Sequence, residues 1–250
     1  MAKLELRNVT KRFGDILALN AVRLTVDAGE FFVVVGPNGS GKTTLLRVIA
    51  GLVAPDAGEV FIDGVQVSEL PPSQRGVRMV FQGYALFPHL RVYDERRLAN
   101  LNFPLRIRKF LQDEIAKVVS SVAQRVGIEK ALYPRRPDQL SAGQKQKVAL
   151  GRALAIPPKI FVLDEPLSNL DPLSRLRVRE EIRRIHREIK ATTLYVTHNL
   201  PEAIALADRL AVLKDGAIQQ IGPPREVCEK PANEFVNLFL HSYDFPGRPV

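Results

Sequence analysis

Between residues 36 and 44 the chain reads Gly-Pro-Asn-Gly-Ser-Gly-Lys-Thr-Thr. Gly36, Gly39 and Gly41 lack a Cβ, so the backbone there can curl closely around an anion and turn successive N–H groups toward it. Pro37, Asn38, Ser40 and Thr44 complete the same loop. Lys42 can reach the β- and γ-phosphate oxygens of a bound nucleotide, and the Thr43 hydroxyl is placed to ligate Mg²⁺. The spacing is G-x-x-x-x-G-K-[ST], the pattern of a nucleoside triphosphate cradle. A second set stands in IFVLDEP, residues 160–166, where an apolar run ends abruptly in Asp164 and Glu165. That arrangement suits a hard-metal site at the carboxyl edge of a sheet. Asp164 would hold Mg²⁺ through water, and Glu165 would polarise the water that attacks the γ-phosphate. Alone, the segment reads equally well as a surface turn after a strand; the upstream loop favours the metal reading.

These side chains need elements to hold them. The loop follows the apolar run FFVVV and precedes LLRVIA, which predicts a buried strand, a turn and a helix starting near Lys42. The helix would point its positive dipole end at the phosphates. Residues 4–35 and 58–81 read as strand-rich, with turns at 27–29 and 63–64. From about 92 to 154 the pattern predicts helix, most clearly over 113–126 and 142–154. Strands return at 160–163, 193–197 and 209–213, with helical stretches between them, and Pro-Pro pairs at 71, 157 and 223 mark loops. The pattern is an α/β nucleotide-binding core interrupted by a helical insert.

Composition excludes several classes. With 46% hydrophobic residues the 250-residue chain can bury a full core. One cysteine, Cys228, gives neither a disulfide framework nor a cysteine metal cluster, which fits a reducing cytoplasm. The N-terminus has no apolar core of signal-peptide length, and no run approaches the length of a membrane span. The net charge of +9 is spread evenly: residues 1–125 carry 17 basic and 12 acidic side chains, residues 126–250 carry 19 and 15. The densest basic run, RLRVREEIRRIHREIK, places Val178, Ile182, Ile185 and Ile189 at helical spacing. Its arginines interleave with Glu180, Glu181 and Glu188, so it reads as a solvated helix face and not as a nucleic-acid surface.

A third motif, LSAGQKQKVALGRALA, begins at Leu140. Ser141 offers a hydroxyl and Gly143 permits close backbone approach, ahead of a helix whose N-terminus attracts anions. The motif can bind a γ-phosphate or simply cap a helix. Here the chain resembles the ATP-binding-cassette family, whose LSGGQ signature stands as Leu140-Ser141-Ala142-Gly143-Gln144. The resemblance covers about residues 3–240 and implies a RecA-like P-loop NTPase core with an antiparallel β subdomain and an inserted helical subdomain. It divides the chain into a core of 1–90 and 155–222, a helical subdomain of about 91–154 and a short helical tail, 223–250. It also implies roles. Gln82 senses Mg²⁺ and water, Ser168-Asn169-Leu170-Asp171 forms a dimer contact, and His198 contacts the γ-phosphate and positions the water of Glu165. Phe13 stacks on adenine, although a strand-end phenylalanine is otherwise more often core. Ser141, Gly143 and Gln144 face the ATP of a second subunit, so the active unit is a dimer, homodimeric by expectation, with two sandwiched nucleotides.

Within the family, GYALFPHL, NFPLRIRK and EKPANEFV resemble importer ATPases of the sugar and polyamine type. That implies ATP and Mg²⁺ as cofactors, integral-membrane permeases as direct partners and an extracytoplasmic solute-binding protein as an indirect one. The expected location is peripheral, on the cytoplasmic face of the membrane. Three departures accompany the resemblance. About five extra residues, near 95–99, fall where permease docking is expected; Ala142 and Lys147 replace a glycine and an arginine; and the sequence stops at Val250, where sugar importers continue into a regulatory domain. Two other readings stay open: a soluble cassette ATPase of assembly or DNA maintenance, and a subunit whose coupling the 95–99 block impairs.

Overall fold

The computed structural model describes residues 3–242. Its strands are β1 (Leu4–Phe13), β2 (Ile16–Val26), β3 (Phe31–Val35), β4 (Ala57–Ile62), β5 (Val65–Gln66), β6 (Val77–Val80), β7 (Ile160–Asp164), β8 (Thr192–Thr197), β9 (Arg209–Lys214) and β10 (Ala217–Gly222). Its helices are α1 (Lys42–Ala50), α2 (Phe103–Ile107), α3 (Gln112–Arg125), α4 (Ala142–Leu154), α5 (Pro172–Ile189), α6 (Leu200–Leu206), α7 (Pro224–Glu229) and α8 (Glu234–His241). The last eight residues of the expected C-terminal tail lie outside the described residues.

The chain divides into two compact units. Of the described residues, the first holds 3–79, 159–165 and 190–242. It contains a four-stranded antiparallel sheet, β2-β1-β4-β5, and most of a six-stranded sheet ordered β10-β9-β3-β8-β7-β6. β3, β7 and β8 are buried along their whole length, as strands covered on both faces must be, which explains their near-continuous apolar sequences. β3 lies parallel to both β8 and β9, and β7 lies parallel to β8. Helix α1 packs against β2 on one side and β7 and β8 on the other. Leu45, Leu46, Val48 and Ile49 are fully enclosed there among Leu19, Val34, Val162 and Val196.

The second unit holds residues 80–158 and 166–189 and carries α2 to α5. Helices α3 and α5 bury one stripe each, Ile115, Val119 and Val122 on α3 and Val178, Ile182 and Ile185 on α5, whereas α4 is buried nearly all round from Val148 to Leu154. Two differences from the sequence reading stand out. Residues 166–189 pack with the helical unit instead of with the core. Residues 92–102 are turns, not helix. Turn chemistry overrides the apolar spacing there: Asp94 accepts the Arg96 and Arg97 N–H groups, both at 3.0 Å, and buried Asn100 and Asn102 tie up neighbouring carbonyls.

Candidate nucleotide site

The sheet register brings the chemistry to one edge. Val35 lies beside Thr197, and Asp164 beside Val196, so β3, β7 and β8 end level with one another. The residues that follow are Gly36, Glu165 and His198. The phosphate loop, the acidic strand end and His198 therefore emerge at the carboxyl edge of a parallel sheet, where α/β folds place their ligands.

The loop is shaped by close backbone approach. A Cβ on Gly36 would sit 2.1 Å from the Leu213 carbonyl oxygen, and one on Gly41, at φ 102°, would sit 2.3 Å from that of Ala18. No side chain fits either place. The turn between β9 and β10 completes the support: Gly216 N–H donates to the Ser40 carbonyl at 3.0 Å, and Asn20 N–H to the Gly216 carbonyl at 2.9 Å. Sequence reading missed this role of Gly216, because nothing local links a distant hairpin turn to the loop.

Lys42 is buried, and its ammonium donates to the Gly36 and Pro37 carbonyls at 2.9 and 2.8 Å. Burial lowers its pKa, while the negative charges of Glu165 and Asp164 raise it. Thr43 Oγ1 donates to Asp164 Oδ1 at 3.1 Å. Burial raises the pKa of Asp164, opposed by that hydrogen bond. Glu165 occupies a left-handed backbone conformation, φ 43°, rare for a side-chain-bearing residue and tolerated where a site requires it. Its N–H is anchored on the Val196 carbonyl at 3.0 Å. One of its carboxylate oxygens lies 3.0 Å from His198 Nδ1 and the other 3.9 Å from Lys42 Nζ. Loop lysine, metal-type aspartate, base-type glutamate and histidine thus form one constellation within the first unit.

The residues fit an anion and a hard cation. Ser40 Oγ is buried with no hydrogen-bond partner among the described residues. A Cβ placed on Gly39, at φ 80°, meets nothing within 4 Å, so the cradle is open on that side. Thr43 and Asp164 supply the oxygen donors that Mg²⁺ prefers. Phe13 is 48% exposed, so the core alternative for it is excluded. Gln82 lies in the other unit, where its carbonyl accepts from Asn169 Nδ2 at 2.9 Å.

The signature residues also lie in the second unit. Ser141 caps α4: its Oγ accepts from Gln144 N–H at 3.3 Å, and its own N–H donates to Gln144 Oε1 at 2.9 Å. A Cβ on Gly143 would meet nothing within 4 Å. A cavity of about 250 Å³ adjoins Ser141, Gly143, Gln144 and Lys147. Lys147 reaches across to α5, 3.8 Å from Glu181.

This fold and loop define a P-loop nucleotide-binding α/β protein. A family model described as "ABC transporter" matches residues 19–168, and the chain belongs to that family. It is 46% identical over 248 residues to the trehalose/maltose import ATP-binding protein MalK of Thermococcus litoralis, an alignment covering 97% of this chain and 65% of that protein. It is 47% identical over 243 residues to the sn-glycerol-3-phosphate import ATP-binding protein UgpC of Bordetella pertussis, covering 97% and 66%. The chain thus spans about 65% of the length of these relatives. Among solved structures it is similar to the dimeric post-hydrolysis state of the ATP-binding cassette MJ0796 bound to ADP and Pi. That match has a TM-score of 0.77 and 33% identity over 89% of this chain and 99% of that one. It is also similar to cbiO1 from Clostridium perfringens, part of the ABC transporter complex cbiONQ, with a TM-score of 0.80 and 28% identity over 92% and 91%.

Proposed function

We propose that this chain is the ATP-hydrolysing subunit of a solute importer, working as a dimer beneath membrane permeases. The observation that carries the reading is the Glu165 carboxylate. It lies 3.0 Å from His198 and 3.9 Å from Lys42, on the sheet edge where Thr43 meets Asp164. The loop N–H groups and Lys42 would hold the phosphates of ATP, and Thr43 and Asp164 would supply oxygen ligands to Mg²⁺. When bound, Mg²⁺ neutralises phosphate charge. Glu165 orients a water and accepts its proton, and His198 holds that carboxylate in place. Phe13, exposed at the end of β1, stacks on the adenine.

Ser141 and Gly143 present a second anion-binding helix end in a unit separate from the loop, which supports a composite site completed by another copy. Dimeric MJ0796 and the import ATP-binding relatives support the dimer and importer parts of the reading. Among the described residues no helix is long and apolar enough to cross a membrane. Closure on ATP and opening after hydrolysis would bias the permease between two states.

Glu165→Gln tests the assignment. It keeps the shape of the site, so nucleotide affinity should persist while turnover falls about 10²–10⁴-fold. ATP turnover near the wild-type rate, with binding measured by equilibrium titration, would remove Glu165 from the base role.

A further inference from the structure

The corner that carries His198 is held by a buried hydrogen-bond chain that phosphate chemistry does not itself employ. Glu202, third residue of α6, is only 6% exposed. Its Oε2 accepts from the Tyr195 hydroxyl and from Thr197 Oγ1, each at 3.0 Å. Thr197 Oγ1 accepts in turn from Asn199 N–H at 3.0 Å, and Asn199 Oδ1 accepts from Glu202 N–H at 3.0 Å. The bonds lie on both sides of His198, holding the Thr197 side chain before it and the Asn199 N–H after it. A carboxylate withdrawn from water is costly unless it is bonded; here two hydroxyls and the first turn of a helix compensate it.

We propose that Glu202 is a positioning residue for His198, acting through Thr197 and Asn199. The His198 side chain is 44% exposed, so packing alone cannot set its direction. Its aim at Glu165 comes from a rigid backbone on either side and from the Nδ1 contact itself. Thr197 ends β8 beside Val35, so the same chain ties the histidine's register to the strand that launches the phosphate loop. Loss of the carboxylate frees the hydroxyls of Tyr195 and Thr197 to reorient and lets the imidazole wander. Misplacement of about 1 Å costs on the order of 10²-fold in rate.

The kinetic part rests on the proposed ATPase reading; the geometric part does not. In the full chain, Glu202→Ala and Thr197→Val should lower kcat roughly 10- to 100-fold and leave KM for ATP within about threefold. Thr197→Ser, which keeps the hydroxyl, should restore kcat. Nitrogen NMR of the His198 ring supplies a readout that stability does not move. Wild type and Thr197→Ser should show one tautomer with a bonded Nδ1, and the other two variants averaged signals. An unchanged ring spectrum with unchanged kcat overturns the proposal, as does a joint loss of kcat and ATP affinity. If Glu202→Ala does not fold, the Thr197 pair decides, because it retains the carboxylate. If wild type hydrolyses no ATP, the proposed function fails and the ring spectrum alone judges Glu202.

Discussion

Gly36 and Gly39 share one loop and one residue type, yet they should fail differently. A methyl on Gly36 would lie 2.1 Å from the Leu213 carbonyl oxygen, a backbone atom that cannot step aside. Gly36→Ala should therefore cost on the order of 3 kcal/mol of stability, seen as a lower urea midpoint, and nucleotide affinity should fall with it. A methyl on Gly39 meets nothing within 4 Å and bears only the strain of φ 80°, about 1 kcal/mol. Gly39→Ala should fold nearly as well but fill the cradle, so its defect should appear in nucleotide titration. Equal stability losses in the two variants would contradict this division. Of the proposed site, Lys42 and Thr43 were legible because G-x-x-x-x-G-K-[ST] is the pattern of a phosphate cradle, whereas Asp164 and Glu165 read as more than a turn only with that loop upstream. Glu202 and Tyr195 were not. Their hydrogen bonds depend on which face of β8 meets α6, and a single sequence does not state that.

At the scale of elements, α1 illustrates what a sequence shows and hides. Its start at Lys42 follows from the glycines, and its end at Gly51 from the left-handed conformation there, φ 77°. Its last carbonyls accept from the backbone N–H groups of Gly51, Leu52 and Val53 and also from Arg75, a loop residue with no sequence signal for the task. The buried guanidinium donates to the carbonyls of Val48 at 2.9 Å, Leu70 at 2.8 Å and Ser68 at 2.6 Å. Burial lowers its pKa, and no carboxylate compensates it among the described residues; carbonyl dipoles and the negative end of α1 do so instead. Arg75→Met should strip this donor from the Leu70 and Ser68 carbonyls, while Val48 keeps the Gly51 N–H at 3.1 Å, and lower stability by about 2–3 kcal/mol. Arg75→Lys should recover only part, since one ammonium cannot span acceptors arranged for a planar fork. Thermal and urea unfolding read both variants, and a neutral Arg75→Met would refute the capping role. The misread stretch 92–102 teaches the same lesson. Apolar spacing suggested helix, but the buried Asn100 amide donates to the Phe87, Leu90 and Arg91 carbonyls, which only a folded-back loop brings together.

For the whole molecule, the two halves of the proposed chemistry sit in different compact units. The phosphate loop, Asp164, Glu165 and His198 belong to one; Ser141, Gly143 and Gln82 belong to the other. If Ser141 completes the site of a second copy, damage in one half-site should be rescued by damage in the other. A Lys42→Ala chain loses its loop cation but keeps Ser141. A Ser141→Arg chain keeps Lys42, and because Ser141 is an exposed helix cap its replacement should cost only about 1 kcal/mol of stability. Each alone should be nearly inactive. Mixed, they should form dimers in which one site pairs an intact loop with an intact signature, while the other carries both lesions. Random pairing makes about half the dimers mixed, so roughly a quarter of all sites should be restored. Recovery of ATPase on mixing, absent from either chain alone, marks a site built from two copies. Differently tagged chains that co-purify yet stay inactive would show that each chain completes its own site, and a Ser141→Arg chain with full activity would remove Ser141 from the site altogether.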